Sequence, residues 1–562
     1  MKSVAHDPSR TGKLACMAAS TITTGAAAAQ HTATERTVRD AAFDVLRERG
    51  LTTLFANPGS TEIPLLSGLP EDLRFVLALH EASVVGLATG LAIARNEPTL
   101  AILHTTAGLG NAVSALATAR VNRAPLVVLV GQQDRRHLAL QPFLAGRLDG
   151  LAGDYPVSVE QPIRAQDVPG AISRAYHAAR THRGPALVIV PMDDWAQPVD
   201  PGLRVAAPGR LLRATEADEA AVEELAALLE GARDPALVVG AGADEPAAWD
   251  ALVALAERLA APVWQEAFSA RAGFPQDHPL FAGFLSHARD GLHAQLGGHD
   301  VVLTVGAPVF RQYAYVPGPL LPEGVTVGLI TDDPDEAHRS PAAIALLAPP
   351  AAACRILVER LPARDAQAPA GHRPPAAPAP PAPGEPMVAG HVLAALAERL
   401  PEDAVVLEES PSSRPELHAR IPARRNLGFV SAAMGGLGFG LPAAAGLRMG
   451  LPDRPVVSIL GDGAALYAIQ GLWTAAREGL GALFVIMVNG RYAIMDHLAA
   501  MQGASAPWPA FDDVDVAAVA QGFHCPARRV SDHGELLVTL DEVLPTLAQR
   551  REPLLLAVDI AP

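Results

Sequence analysis

The sequence almost lacks lysine. Of its 562 residues only Lys2 and Lys13 carry an ε-amine, and arginine supplies the basic charge everywhere else. Chemistry that begins with a lysine Schiff base, as in pyridoxal phosphate enzymes and class I aldolases, is thereby excluded from the folded domains. A phosphate loop of the Gly-Lys-Ser/Thr type is excluded for the same reason. Cysteine is scarce as well. Cys16, Cys354 and Cys525 are far apart and odd in number, which predicts neither a disulfide framework nor a zinc site and suits a reducing cytoplasm. No apolar run approaches the roughly 20 residues that a membrane span requires. Positive charge is in deficit: the formal net charge is −16, so neither nucleic acid nor an anionic membrane is an expected partner.

What the chain does have is apolar sequence, 49% of its residues, and enough length for three domains of ordinary size. Residues 1–35 are small, polar and Ala-rich. They read as a disordered extension rather than an export signal, because Thr and Ser interrupt the apolar stretch and Asp7 lies upstream. From Arg36 onward, helical periodicity alternates with short apolar strands, at 53–56, 76–79, 100–103, 126–130 and 186–190. That alternation predicts a parallel α/β domain over 36–205. A second such unit covers 213–362, with strands at 236–239, 263–264, 300–305 and 325–330. Residues 363–386 form an extended, semi-rigid Pro/Ala linker, and 387–562 form the third unit. The expected fold class is α/β, with three consecutive doubly wound parallel-sheet domains. Residues 104–111 and 432–439 both read as Gly-punctuated loops opening an Ala-rich helix, a loose similarity that suits two related domains clasping one ligand.

Two turns stand out in the third unit. Gly461-Asp462-Gly463 follows one apolar run, and Asn489-Gly490, twenty-seven residues after Asp462, follows another. Two buried neighbouring strands would deliver a carboxylate and a carboxamide to one edge of a parallel sheet, where such sheets bind ligands. A hard divalent cation takes oxygen ligands of this kind and borrows others from phosphate. In the first unit Ser60, Glu81 and His104 each follow a predicted strand and can converge on one pocket. A serine-hydrolase reading fails because no Gly-x-Ser-x-Gly elbow surrounds Ser60. A zinc-protease reading of His80-Glu81 fails because Val84 stands where the second His belongs. Gly240-Ala241-Gly242-Ala243-Asp244-Glu245 reads as a strand–helix turn, since Glu245 replaces the third glycine of a dinucleotide loop.

Taken together, Asn57 to Ser60, Leu77 to Ala82, Leu103 to Asn111, Pro191 to Trp195, Gly306 to Arg311, Gly435 to Phe439, Gly461-Asp462-Gly463 with Asn489, and Leu472 to Ala476 resemble successive motifs of the thiamine-diphosphate-dependent 2-oxo acid decarboxylases, benzoylformate decarboxylase in particular. The likeness runs from Arg36 nearly to the C-terminus. It implies thiamine diphosphate and Mg²⁺ as cofactors and non-oxidative decarboxylation of a 2-oxo acid to an aldehyde. Glu81 would bond the aminopyrimidine ring, Leu437 would prop the cofactor in its bent form, and Gly461, Asp462, Gly463, Tyr492 and Ser412 would bind the cofactor at its diphosphate end, with Ser410 or Ser412 in place of the hydroxyl missing at Pro411. Asp462, Asn489 and the main-chain oxygen of Arg491 would ligate Mg²⁺. Ser60 would bind the substrate carboxylate and His104 would relay protons. The resemblance also implies a cytoplasmic homo-oligomer, a dimer at least and commonly a tetramer, with each cofactor bridging two subunits.

Four departures from the resembled pattern bear on chemistry. Tyr313 stands where these decarboxylases place a second active-site histidine, and a phenol titrating near 10 shuttles protons poorly at neutral pH. Val488 replaces the first residue of the usual Asn-Asn pair, and Pro411 falls where a hydroxyl helps hold the diphosphate. Ser431 and Leu498 stand where aromatic side chains line the benzoylformate pocket, which weakens phenyl recognition. Two alternatives stay open: a carboligase resembling acetolactate synthase, in which a second carbonyl takes the place of the proton, and a non-catalytic paralogue, against which Glu81 speaks. A flavin in the central domain, as in some relatives, is not demanded by any motif.

Overall fold

Runs such as Val456-Val457-Ser458-Ile459-Leu460 are apolar on both faces, and a strand of that kind is stable only inside a sheet covered on both sides. The computed structural model, which describes residues 35–365, 371–505 and 507–561, places eighteen strands in three sheets, the central ones of this kind. All but Glu35 of the expected N-terminal extension therefore lies outside the described residues. The first sheet contains β1 (Thr53–Ala56), β2 (Arg74–Leu77), β3 (Thr99–His104), β4 (Leu126–Gln132), β5 (Ser158–Glu160) and β6 (Pro185–Pro191), in the order β2-β1-β3-β4-β6-β5. The second holds β7 (Pro235–Val239), β8 (Val263–Gln265), β9 (Phe281–Phe284), β10 (Val301–Val305), β11 (Thr326–Thr331) and β12 (Ile344–Leu347), in the order β12-β11-β10-β7-β8-β9. The third holds β13 (Val405–Glu409), β14 (Phe429–Ser431), β15 (Val456–Gly461), β16 (Leu483–Val488), β17 (Ala527–Val530) and β18 (Leu554–Asp559), in the order β14-β13-β15-β16-β18-β17. Every pairing within them is parallel.

Renumbered from its own first strand, the first sheet runs 2-1-3-4-6-5, and so does the third. Their kinship is one of topology. The local likeness between residues 104–111 and 432–439 is not structural: Thr105–Val121 is helical from its first residue, whereas the chain reaches its helix only at Gly440–Gly450. The central sheet runs 3-2-1-4-5-6, the order of dinucleotide-binding domains.

First and third domains join through two helices. Glu81–Arg95 lies along Gly440–Gly450 so closely that a methyl on Gly86 would sit 2.6 Å from the Pro442 ring, and one on Gly90 2.8 Å from the Leu447 nitrogen. Val84, Leu87 and Leu91 share one core with Leu441, Ala444 and Leu447. The central domain is pinned by a buried arginine. Arg271 donates to the carbonyls of Asn122 (2.6 Å) and Ala241 (3.1 Å), and its Nε lies 3.2 Å from Asp244 Oδ2. Asp244 in turn accepts the Leu427 N–H of the third domain at 3.0 Å. The Pro/Ala segment is tied down as well, since Arg420 bonds the carbonyls of Pro375 and Ala376, and His391 lies 2.8 Å from that of Ala379.

Candidate active site

The order β2-β1-β3 sets three strand ends side by side, and the crevice between β1 and β3 is a point where strand order reverses. Glu81 begins the helix Glu81–Arg95, whose N-cap His80 accepts the Ala82 N–H through Nδ1 at 3.1 Å. A helix N-terminus favours a carboxylate. Glu81 is buried, and Asn57 and Asn111 donate their side-chain amides to its two oxygens at 3.1 and 3.0 Å. Ser60 opens the turn Ser60–Glu62 and is exposed. His104 ends β3, and its Nδ1 lies 2.9 Å from both Glu62 Oε2 and Thr61 Oγ1. Glu62 is only 2% exposed and also accepts the Gly59 N–H (2.8 Å) and the Thr61 hydroxyl. A carboxylate on Nδ1 makes that nitrogen the donor and leaves Nε2 free to accept a proton.

Glu81 and His104 thus lie beside one another, each 3.5 Å from where a methyl on Gly108 would stand, and Ser60 sits in the turn whose Thr61 and Glu62 bond His104. The sequence reading missed what holds them: Glu62 behind His104, and the two asparagines on Glu81. The only signal was proximity, since Glu62 closes the 57–62 turn and Asn111 closes the 104–111 segment.

In the third sheet β15 and β16 are neighbours, with Gly461 opposite Met487. Asp462 begins the short helix Asp462–Ala465 and is buried. Its Oδ1 accepts the Gly463 N–H at 2.7 Å, while Oδ2 accepts those of Asn489 (2.9 Å) and Gly490 (2.7 Å). The two motifs are therefore one structure, a carboxylate bonded directly to the Asn489-Gly490 turn. Burial raises the Asp462 carboxyl above its ordinary range, and the three amides pull it back. Asn489 Oδ1 accepts the Arg491 N–H at 3.2 Å, and Gly490, at φ +65°, turns the chain to the exposed Arg491.

This cluster fits a metal-bound diphosphate. A carboxylate offers about four lone-pair sites and three are taken, which leaves one for a cation beside the Asn489 amide oxygen. Among the described residues no three His, Cys, Asp or Glu side chains gather as a metal site, so a hard cation here would take its other oxygens from a ligand. Nearby, at the end of β13, Ser410 buries a hydroxyl that lacks any hydrogen-bond partner. Ser412 is exposed, and the Tyr492 ring lies against Phe511, 4.9 Å between centroids, and over Gly463. Leu437 is half-buried in the loop before Gly440–Gly450.

The positions that depart from the resembled pattern lie as follows. Tyr313 is exposed, donates its N–H to the His287 carbonyl at 3.1 Å and sets its ring edge-on to the imidazole, 6.0 Å between centroids. Ser431 is buried, with its hydroxyl on Glu408 Oε2 at 2.9 Å. Leu498 is half-buried in the helix Ala493–Met501. Val488 closes β16 and Pro411 is half-buried. In the central sheet, the turn after β7 is filled by the chain itself: a methyl on Gly240 would lie 2.7 Å from the Ala307 side chain, and one on Gly242 2.9 Å from Arg123 Nη1. That packing leaves a pyrophosphate no approach to the turn, which accords with its reading as a plain strand–helix connection.

Comparison with known proteins places this geometry in a family. Sequence profiles of thiamine pyrophosphate enzymes match all three units: the N-terminal TPP binding domain at residues 36–152, the central domain at 222–357 and the C-terminal TPP binding domain at 416–558. Benzoylformate decarboxylase of Pseudomonas aeruginosa is 38% identical over 515 residues, covering 91% of this chain and 97% of its own. Among solved structures, the thiamine diphosphate-dependent 4-hydroxybenzoylformate decarboxylase of Rhodococcus jostii RHA1 superimposes with a TM-score of 0.88 at 34% identity, over 94% of this chain and 99% of the other. Benzoylformate decarboxylase from Polynucleobacter necessarius gives 0.87 at 33%, with coverage of 94% and 99%. Two cofactor-binding domains of shared topology, a central domain between them and relatives along nearly the whole chain lead to one conclusion: the protein belongs to the thiamine-diphosphate-dependent enzymes.

Proposed function

We propose that this enzyme is a Mg²⁺-dependent, non-oxidative decarboxylase that converts a benzoylformate-like 2-oxo acid to an aldehyde and carbon dioxide. The observation that carries the reading is Glu81, buried at a helix N-terminus with Asn57 and Asn111 on its oxygens. When bound, thiamine diphosphate supplies a nucleophilic carbon and an electron sink for the departing carboxylate. Glu81 would hold a proton against the aminopyrimidine ring. Asp462, the Asn489 side chain and the main-chain oxygen of Arg491 would hold Mg²⁺, with Gly461, Gly463, Tyr492 and Ser410 or Ser412 around the diphosphate, and Leu437 would pack against the cofactor. Ser60 presents its hydroxyl to the substrate carboxylate. His104, with Nδ1 committed to Glu62, moves protons at Nε2.

The working unit in this reading is a cytoplasmic homo-oligomer whose sites are shared between copies. Support comes from the hydrogen bonds: the Glu81 and His104 clusters are bonded only within the first domain, and the Asp462 cluster only within the third. Both clusters have exposed apolar neighbours, Ile63 and Leu79 in one and Tyr467, Tyr492 and Met495 in the other, as expected of surfaces that a second copy covers. Cys354 and Cys525 are buried free thiols, as suits a reducing compartment.

A second reading, the carboligase, draws support from Tyr313. If proton delivery is slow, a second carbonyl can compete for the same carbon. Incubation with thiamine diphosphate, Mg²⁺ and a panel of aromatic and aliphatic 2-oxo acids tests both readings. Aldehyde is the expected main product, with aromatic substrates preferred. A 2-hydroxy ketone or acetohydroxy acid as main product would overturn the decarboxylase assignment.

A further inference from the structure

Glu409 ends β13, beside β15, at the crevice of the third sheet where strand order reverses. It is 1% exposed, and among the described residues no cation is paired with it: the nearby Arg414 donates instead to the adjacent Glu408, at 2.9 Å. Its two oxygens take backbone N–H groups from the loop that carries Leu437. Oε1 accepts from Gly438 at 2.5 Å and Oε2 from Gly440. The fit is tight, since a methyl on Gly440 would stand 2.7 Å from Oε2. Gly438 adopts φ +92°, a backbone conformation open to glycine, and this turns its N–H toward the carboxylate. The helix Gly440–Gly450 thus begins with its amide nest filled by a side chain of its own domain.

We propose that Glu409 is the positioning residue of the cofactor loop: by bridging the amides of Gly438 and Gly440, the first of them joined directly to Leu437, it fixes the height and direction of Leu437. The inference rests on the functional reading above. An uncompensated buried carboxylate is costly, and burial pushes this one up to about 8, with the Gly440, Gly438 and Phe439 amides opposing the rise. Arg414 and Ser431 are bonded to Glu408 instead. The Ser458 hydroxyl donates to the Gly440 carbonyl at 3.2 Å, so Glu409 is the side chain that takes the loop's N–H groups. Leu437 has no hydrogen bond of its own with which to set its place. Its position is borrowed from the two amides.

The test uses the full-length protein and two variants, Glu409→Gln and Glu409→Ala. Glutamine keeps the volume but offers one acceptor oxygen for two N–H donors. Amide hydrogen exchange without cofactor reads the loop directly. Exchange at Gly438 and Gly440 is expected to quicken by about 10-fold or more in Glu409→Gln, with β13 and β15 unchanged. With thiamine diphosphate and Mg²⁺, kcat is expected to fall roughly 10- to 100-fold while cofactor affinity and KM change by much less. Wild-type exchange at both glycines in a folded variant would overturn the proposal, and so would released amides with unaltered kcat. A wild-type protein that binds no thiamine diphosphate would instead overturn the functional reading, and the exchange rates would still decide whether Glu409 holds the loop.

Discussion

His104 ends a strand and Thr105 begins a helix, and the join is made at φ +41° by a buried β-branched residue. Such a conformation costs about 1–3 kcal/mol, and it sits beside the proposed proton relay. Thr105→Gly is therefore expected to raise stability by about 1 kcal/mol in denaturant melts while lowering turnover, because the imidazole loses its rigid mount. A destabilised variant would show that the angle carries no strain. The residues legible in the sequence were those at strand ends with a recognisable partner: Asp462 with Asn489, and Glu81 and His104 through their flanking motifs. Glu62 and Glu409 escaped for a common reason. Each acts through a bond to a segment remote from it in sequence, 42 residues away for Glu62 and His104 and 31 for Glu409 and Gly440. No local pattern encodes that pairing.

Element by element, the central strands were readable and, β2 apart, the edges of the first and third sheets were not. β3, β4, β6, β15 and β16 are continuous apolar runs, whereas β5, β14 and β17 are three or four residues long and Arg528-Arg529 interrupts the last. An edge strand buries too little side chain to leave a hydrophobic signature. The expected strand at 76–79 proved to be Arg74–Leu77, because the chain leaves the sheet to place His80 as a helix cap. The helix pair Glu81–Arg95 and Gly440–Gly450 was also invisible in the sequence, although its glycines were in plain view, since close approach depends on two backbones rather than one. Gly90→Ala puts a methyl into the facing helix and is expected to cost about 1–3 kcal/mol through forced separation. Chemical denaturation would measure this. An unchanged midpoint would mean that the helices part freely.

For the whole molecule, the shared-site reading makes a sharp demand. Glu81→Gln and Asp462→Ala chains should each be inactive alone, because each lacks one half of every site. Co-refolded in equal amounts, they should regain about a quarter of wild-type activity, since half the dimers are mixed and each mixed dimer has one intact site. No recovery in stable mixed dimers would place both halves of the site within a single chain. Three sheets in series were legible from the alternation of strands and helices, whereas the shared strand order of the outer two was not. How the three meet was not.

That meeting point is Arg271, where one guanidinium ties the first domain's Asn122 carbonyl to Asp244, and Asp244 holds the third domain's Leu427 amide. Hinge motion between these domains would strip a buried guanidinium and a buried carboxylate of their partners, which is costly. Opening of the proposed site is therefore expected of surface loops rather than of whole domains.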